Sequence, residues 1–226
     1  MVVPAHNEEA LIEAAVAAVR RAALQLSEVV TSVAVVANGC TDDTARLAAA
    51  AGATVLDVQI PNVGAARAAG MTWALDQHTG DLDRLWLATT DADSEVDRRW
   101  LSGQLDAAAG GADAYLGTVR LRAADRPTFA SWSAAYVADF AAPGRHGHVH
   151  GASMGMRAST YVCSGGFRAL PVGEDADLVA RLMSDDVVIH WDESCPVVTS
   201  ARLDARAPLG VSNDLGLSLG TRIEAV

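Results

Sequence analysis

Short apolar runs separated by longer amphipathic stretches fill the first half of this 226-residue chain. That alternation leaves few folds open. Residues 33–37 (Val-Ala-Val-Val-Ala) are apolar with no polar alternation, the pattern of a strand covered on both faces. Residues 1–4, 54–58 and 85–90 read as further strands. Helical stretches lie between them. One begins at Asn7 or Glu8 and runs to about Leu26, with Ile12, Ala15, Val16 and Val19 on one stripe. Another begins at Thr41, which reads as a cap, and ends near Ala51 before Gly52. Two more cover residues 63–77 and about 97–109. Strand–helix alternation implies βαβ units, hence an α/β fold with a mostly parallel sheet flanked by helices.

After Gly111 the pattern weakens. Residues 114–121 read as a strand at or near the sheet edge, 129–140 as an aromatic-bearing helix, and 143–150 as a Gly/His-rich loop. Residues 153–156 read as strand, 158–163 as a short helix, 175–183 as helix, and 187–191 and 197–199 as two strands. The chain reads as one domain with two halves, 1–111 and 112–210, and a weakly patterned tail, 211–226.

The net charge of −11 argues against broad nucleic-acid binding, which needs cationic neutralisation of phosphates. All 17 basic residues are arginine, which excludes Schiff-base lysine chemistry and a Walker-type lysine. Cys40, Cys163 and Cys195 have no paired spacing, so neither a disulfide framework nor a zinc ribbon is expected. No apolar stretch is long enough for a transmembrane helix, and residues 1–4 do not open a signal peptide. The expected location is the cytoplasm.

Thr90-Asp91-Ala92-Asp93-Ser94 follows the apolar run 85–89. On an extended segment Asp91 and Asp93 share a face at the end of a strand. In a parallel sheet ligands bind beyond the strand ends, and Mg²⁺ or Mn²⁺ is commonly held there by one or two carboxylates plus substrate phosphates. The pair therefore points to a metal–diphosphate site.

Taken in order, five segments resemble glycosyltransferase family 2, with its GT-A fold. They are Val2-Val3-Pro4-Ala5-His6-Asn7-Glu8-Glu9, Asn38-Gly39-Cys40-Thr41-Asp42-Asp43, Asn62-Val63-Gly64-Ala65-Ala66-Arg67, Thr90-Asp91-Ala92-Asp93, and Gly165-Gly166-Phe167 with Gly173-Glu174-Asp175-Ala176-Asp177. The resemblance covers roughly residues 1–210. It implies a metal-dependent enzyme that moves a sugar from a nucleotide-diphospho-sugar to an acceptor hydroxyl, with inversion at the anomeric carbon. Residues 1–111 would hold the donor and 112–210 the acceptor.

The same resemblance distributes roles. Pro4, Ala5, Asn7, Glu8, Asn38, Gly64, Arg67, Asp91 and Ala92 would surround the nucleotide sugar, and Asp93 would ligate Mn²⁺ or Mg²⁺. Asp175 would be the general base, with Glu174, His150 and Gly151 on the acceptor side. Asn38 stands where many family members carry aspartate against uracil, so the base is left open. Several readings stay open beside these. Asn7 and Glu8 also suit a helix start, Arg67 suits an ion pair, and Asp175 suits the first turn of a helix. Arg202 and Arg206 are further candidates for the diphosphate. His146, His148 and His150 alternate and could share a face, although a mobile acceptor-side loop is the plainer reading. His190 reads as a core histidine, and Trp132, Tyr136 and Phe140 as a core stripe.

Two other functions compete. A sugar-phosphate nucleotidyltransferase would carry a Gly-rich first loop with a basic residue, and Pro4-Ala5-His6-Asn7-Glu8 has neither. A non-catalytic nucleotide-sugar-binding module would be indifferent to Asp175. A dinucleotide oxidoreductase is disfavoured, since no Gly-x-Gly-x-x-Gly follows the first strand.

Overall fold

The computed structural model describes residues 1–60, 62–125, 127–138 and 148–201. His146, Phe140, Arg202, Arg206 and the 211–226 tail lie outside them. The strands are β1 (Val2–Ala5), β2 (Ala34–Asn38), β3 (Thr54–Val58), β4 (Trp86–Thr89), β5 (Ser94–Glu95), β6 (Ala114–Leu121), β7 (Met154–Arg157) and β8 (Ile189–Thr199). The helices are α1 (Ile12–Ala23), α2 (Thr44–Ala50), α3 (Val63–Asp76), α4 (Trp100–Ala109), α5 (Ala130–Ala138), α6 (Ala158–Cys163) and α7 (Glu174–Ser184).

One eight-stranded sheet runs in the order β3-β2-β1-β4-β7-β6-β8-β5. The four strands β3, β2, β1 and β4 are mutually parallel, as strand–helix alternation requires. Strand β7 is antiparallel to both β4 and β6, while β6 and β8 run parallel. Successive residues serve opposite faces. Val2, Val36 and Leu87 join Met71, Leu178 and Leu182 in one core layer. Val3, Val35 and Ile12 form the opposite layer. Helices therefore cover both faces, which explains the unbroken apolar runs.

The chain moves outward from β1 to β2 and β3, then crosses back through α3 to β4 on the other side of β1. This reversal opens a crevice beyond the ends of β1 and β4, where ligands bind in open α/β sheets. Pro4, Ala5, Asn7, Asn38, Asp91 and Asp93 all lie at or just beyond strand ends on that edge.

Five expectations need correction. Strand β6 is interior, between β7 and β8, because β8 adds alongside it. Residues 187–191 and 197–199 belong to one strand, β8, which slips register opposite Gly117–Val119 around Pro196, a residue with no N–H for the ladder. Helix α1 starts at Ile12, since Asn7 takes a left-handed φ of 52° and cannot begin a helix. Thr41 caps nothing: Asp42 accepts the Thr44 N–H at 3.0 Å, and α2 starts there. His190 is exposed rather than buried; it stacks on buried Tyr115 with ring centroids 5.8 Å apart. Among the described residues, no helix is long and apolar enough to cross a membrane.

Helix α3 lies close against β1 and β2 because Gly70 has no side chain. A Cβ there would overlap Val2 and lie 3.0 Å from Val36 Cγ2. Gly70→Val is expected to destabilise the protein by about 1–3 kcal/mol through overpacking, read as a lower midpoint in urea or thermal denaturation. An unchanged midpoint would contradict this packing.

Candidate active site

The first wall of the crevice is the loop after β1. Pro4 and Ala5 are buried. Asn7 Oδ1 accepts the Thr41 N–H at 2.8 Å, and the Asn7 N–H points to Cys40 Sγ at 3.4 Å. The Glu8 N–H donates to Thr44 Oγ1 at 2.7 Å, and the Glu8 side chain is 7% exposed. These contacts tie the β1 and β2 loops together, so Asn7 acts as a loop-to-loop tie where a helix cap was the alternative.

Asn38 closes β2. Its carboxamide oxygen accepts the Ile60 N–H at 2.9 Å, which fixes the amide orientation. Its carbonyl oxygen lies 2.6 Å from His6 Nδ1. The bond to Ile60 uses the carboxamide oxygen and leaves the NH₂ group, a donor, as the other polar end of the amide.

Asp91 and Asp93 form the second wall, beyond β4. A turn places the Ser94 N–H on the Asp91 carbonyl at 3.2 Å, and Ala92 packs into the core with Ile12 and Val16. Both carboxylates thus stay partly open while Ala92 anchors the turn. Behind them β5 pairs with the end of β8, and Ser94 Oγ donates to Thr199 Oγ1 at 3.0 Å. Arg122, at the same edge after β6, approaches the Asp93 carbonyl oxygen at 3.5 Å and Glu95 at 3.4 Å. The sequence reading missed Arg122; its place just after a strand on the ligand edge was the available signal.

Residues from the start of α7 and from the segment 148–151 converge on the same place. Gly173, at φ 73°, lets the chain enter α7, and Glu174, Asp175 and Asp177 occupy its first turn. Acidic groups there suit the positive end of the helix dipole. Asp175 Oδ2 accepts the Gly151 N–H at 2.8 Å, and Oδ1 accepts the Ala176 N–H at 2.8 Å. His148 and His150 both meet Tyr136: His148 Nε2 lies 3.0 Å from its carbonyl oxygen, and His150 Nε2 lies 3.0 Å from its hydroxyl. The Tyr136 ring stacks on His148 at 3.9 Å between centroids and on Trp132 at 4.9 Å.

Arg67, on α3, joins the two sides. Its guanidinium ion-pairs with Asp91 through one Nη and with Glu174 through the other. Its Cζ lies 5.8 Å from the Phe167 ring centroid. The residue is 3% exposed. Gly64, one turn earlier, leaves room for Glu174 and the Arg168 carbonyl rather than for open solvent. The nucleotide role and the ion-pair role expected of Arg67 thus compete for one guanidinium, and its two Nη groups face protein carboxylates.

Charge around Asp91 is unbalanced. Burial pushes its carboxyl up to about 6; Asp93, Glu174 and Asp175 push the same way, and Arg67 opposes them. Burial likewise raises Glu174. Arg67 neutralises part of this charge through Asp91 and Glu174, and Asp93 and Asp175 add two further carboxylates beside them. No group of three or more His, Cys, Asp or Glu among the described residues forms a complete cage. Mg²⁺ and Mn²⁺ do not need one, since waters and substrate phosphates complete their shells. Asp93 and Asp91 therefore fit such an ion.

Comparison with known proteins agrees with this geometry. The family model described as Glycosyl transferase family 2 matches residues 1–160. No curated protein matches the sequence. Among solved structures, S. aureus TarS in complex with UDP-GlcNAc is similar over 99% of this chain and 67% of its own, with 13% identity and a TM-score of 0.63. Glucosyl-3-phosphoglycerate synthase from Mycobacterium tuberculosis, with Mn²⁺, UDP-glucose and phosphoglyceric acid, is similar over 98% and 79%, with 20% identity and a TM-score of 0.60. The mannosyltransferase PcManGT from Pyrobaculum calidifontis, with GDP-Man and Mn²⁺, is similar over 89% and 56%, with 19% identity and a TM-score of 0.60. The strand order, the acidic pair at the switch point and the matched family together place this chain in glycosyl transferase family 2, as a glycosyltransferase of GT-A fold.

Proposed function

We propose that this enzyme takes a sugar from a nucleoside-diphosphate sugar and joins it to an acceptor hydroxyl with inversion, using Mn²⁺ or Mg²⁺. The observation that carries the reading is the meeting of Asp91 and Glu174–Asp175 across one crevice, on opposite sides of Arg67. The donor lies over the ends of β1, β2 and β4, within residues 1–111. The acceptor enters past His150 and Gly151, within residues 112–210. Nucleotide sugars in the TarS, synthase and mannosyltransferase complexes, and Mn²⁺ in the latter two, support this donor class and this ion.

Asp93 and Asp91 would hold the ion, whose positive charge would offset that of the departing diphosphate. Asp175 supplies the base. Two backbone N–H groups hold its carboxylate in one orientation, leaving lone pairs to accept the acceptor's hydroxyl proton. The freed oxygen attacks the anomeric carbon, and the bond to the diphosphate oxygen breaks on the opposite side with its electron pair. Attack from that side inverts the centre.

The Asn38 NH₂ sets the donor's base. It complements an acceptor on the base edge, such as cytosine N3 or uracil O4, and offers nothing to an imide N–H.

Three outcomes test these assignments. Asp175→Asn is expected to lower kcat for glycosyl transfer by about 10²–10⁴-fold, with binding of UDP or GDP retained; a non-catalytic binding module would show no such loss. In thermal-shift titrations, Asp93→Ala is expected to lose the Mn²⁺-dependent part of the stabilisation that a nucleoside-diphosphate sugar confers; an equal shift in the variant refutes the metal assignment. Asn38→Asp keeps an acceptor for Ile60 but presents a second carboxylate oxygen, so the ratio of UDP to CDP affinity is expected to rise about tenfold by calorimetry. A constant ratio would remove Asn38 from base recognition.

A further inference from the structure

The guanidinium of Arg67 touches more than its two carboxylates. A Cβ on Gly151 would overlap Arg67 Cζ and both Nη atoms, so the Gly151 backbone packs directly over the face of the guanidinium. The same glycine donates its N–H to Asp175 at 2.8 Å. Glu174, the Asp175 neighbour, is anchored to Arg67 from the other side. One buried planar group thus fixes both parts of the Gly151–Asp175 hydrogen bond: the loop that donates and the helix turn that accepts.

We propose that Arg67 is a positioning residue for the base. Braced against Gly151 and paired with Glu174 and Asp91, it holds the Gly151 N–H on Asp175 and so aims that carboxylate at the acceptor. This rests on Asp175 being the base. It gives Arg67 a role different from a contact to the donor diphosphate. Lysine would keep the charge but lose the planar fork that reaches two carboxylates at once. Alanine at Gly151 keeps every charge but pushes the loop off the guanidinium.

The test uses the full chain with Mn²⁺ and pooled UDP-glucose, UDP-N-acetylglucosamine, GDP-mannose and CDP-glucose. Glycerol and water serve as hydroxyl acceptors, and released nucleoside diphosphate is counted. Arg67→Lys and Gly151→Ala are each expected to cut turnover by about a hundredfold, the scale of an ångström-level misplacement. Affinities for UDP and GDP should stay within about threefold, a margin for indirect effects on binding. In an Asp175→Asn background, Arg67→Lys should add almost nothing, because the two residues act as one unit. The proposal is overturned if the lysine variant costs the same factor with and without Asp175, or if it weakens UDP and GDP binding while turnover at saturation holds. If Arg67→Lys fails to fold, Gly151→Ala and Glu174→Gln carry the same comparison. Wild-type enzyme that releases nothing from the pool would count against the transferase reading. Hydrogen exchange then decides the positioning role separately: the Gly151 amide should be protected in the wild type and exchange fast in Arg67→Lys and in Asp175→Asn. Unchanged exchange in the lysine variant overturns it.

Discussion

A guanidinium buried to 3% exposure is costly unless charge and hydrogen bonding compensate it. Arg67 meets that demand with Asp91 and Glu174, and each carboxylate comes from a different part of the chain. Removing one partner of a pair as buried as Arg67–Glu174 typically costs about 3–5 kcal/mol, so the ion pairs hold the segment after β4 and helix α7 at a fixed separation. The crevice depends on this constraint. Without it, the segment after β4 and the start of α7 would have only apolar packing to set their distance.

The remaining geometry follows from topology. Parallel strands deliver their carboxyl ends to one edge, and the reversal between β1 and β4 leaves a gap there. Each loop on that edge is short and tied. Asn7 binds the Thr41 backbone, Asn38 binds Ile60, and β5 staples the turn after Asp93 to the end of β8. A site made of such tied loops is largely preformed. The opposite wall rests on antiparallel additions to the sheet, β6 and β7, and on the Tyr136 ring packed among Trp132, His148 and His150.

Much of this was legible in the sequence. The parallel half was, because strands covered on both faces lose polar alternation and α3 carries a clear Asn62 cap, which accepts the Ala65 N–H at 2.9 Å. The acidic pair after β4 and the Glu174–Asp175 turn were legible because they punctuate apolar runs. What escaped depends on long-range pairing. The interior place of β6 requires knowing that β8 lies outside it, and the slip around Pro196 hides the continuity of β8. Asn7 looked like a cap because its residue type suits one, yet its partner, Thr41, comes from another loop. From sequence, Gly64 reads as a glycine for close approach to the nucleotide sugar and Gly151 as part of an acceptor-side loop; in the fold their missing side chains admit Glu174 and Arg67. Sequence spacing cannot distinguish those two uses of a glycine.

Asn38 shows how a fold narrows the routes by which specificity evolves. Its side-chain oxygen serves the Ile60 backbone, and the NH₂ group takes no part in that bond. Serine or alanine would surrender the Ile60 partner along with the proposed base contact, and a longer amide would move both. Only asparagine and aspartate keep the architectural bond while offering opposite hydrogen-bonding polarity on the free atom. On the proposed role of Asn38 the position therefore has a two-letter alphabet, and a lineage can exchange one nucleotide preference for another there in a single codon step without rebuilding the loop beneath it.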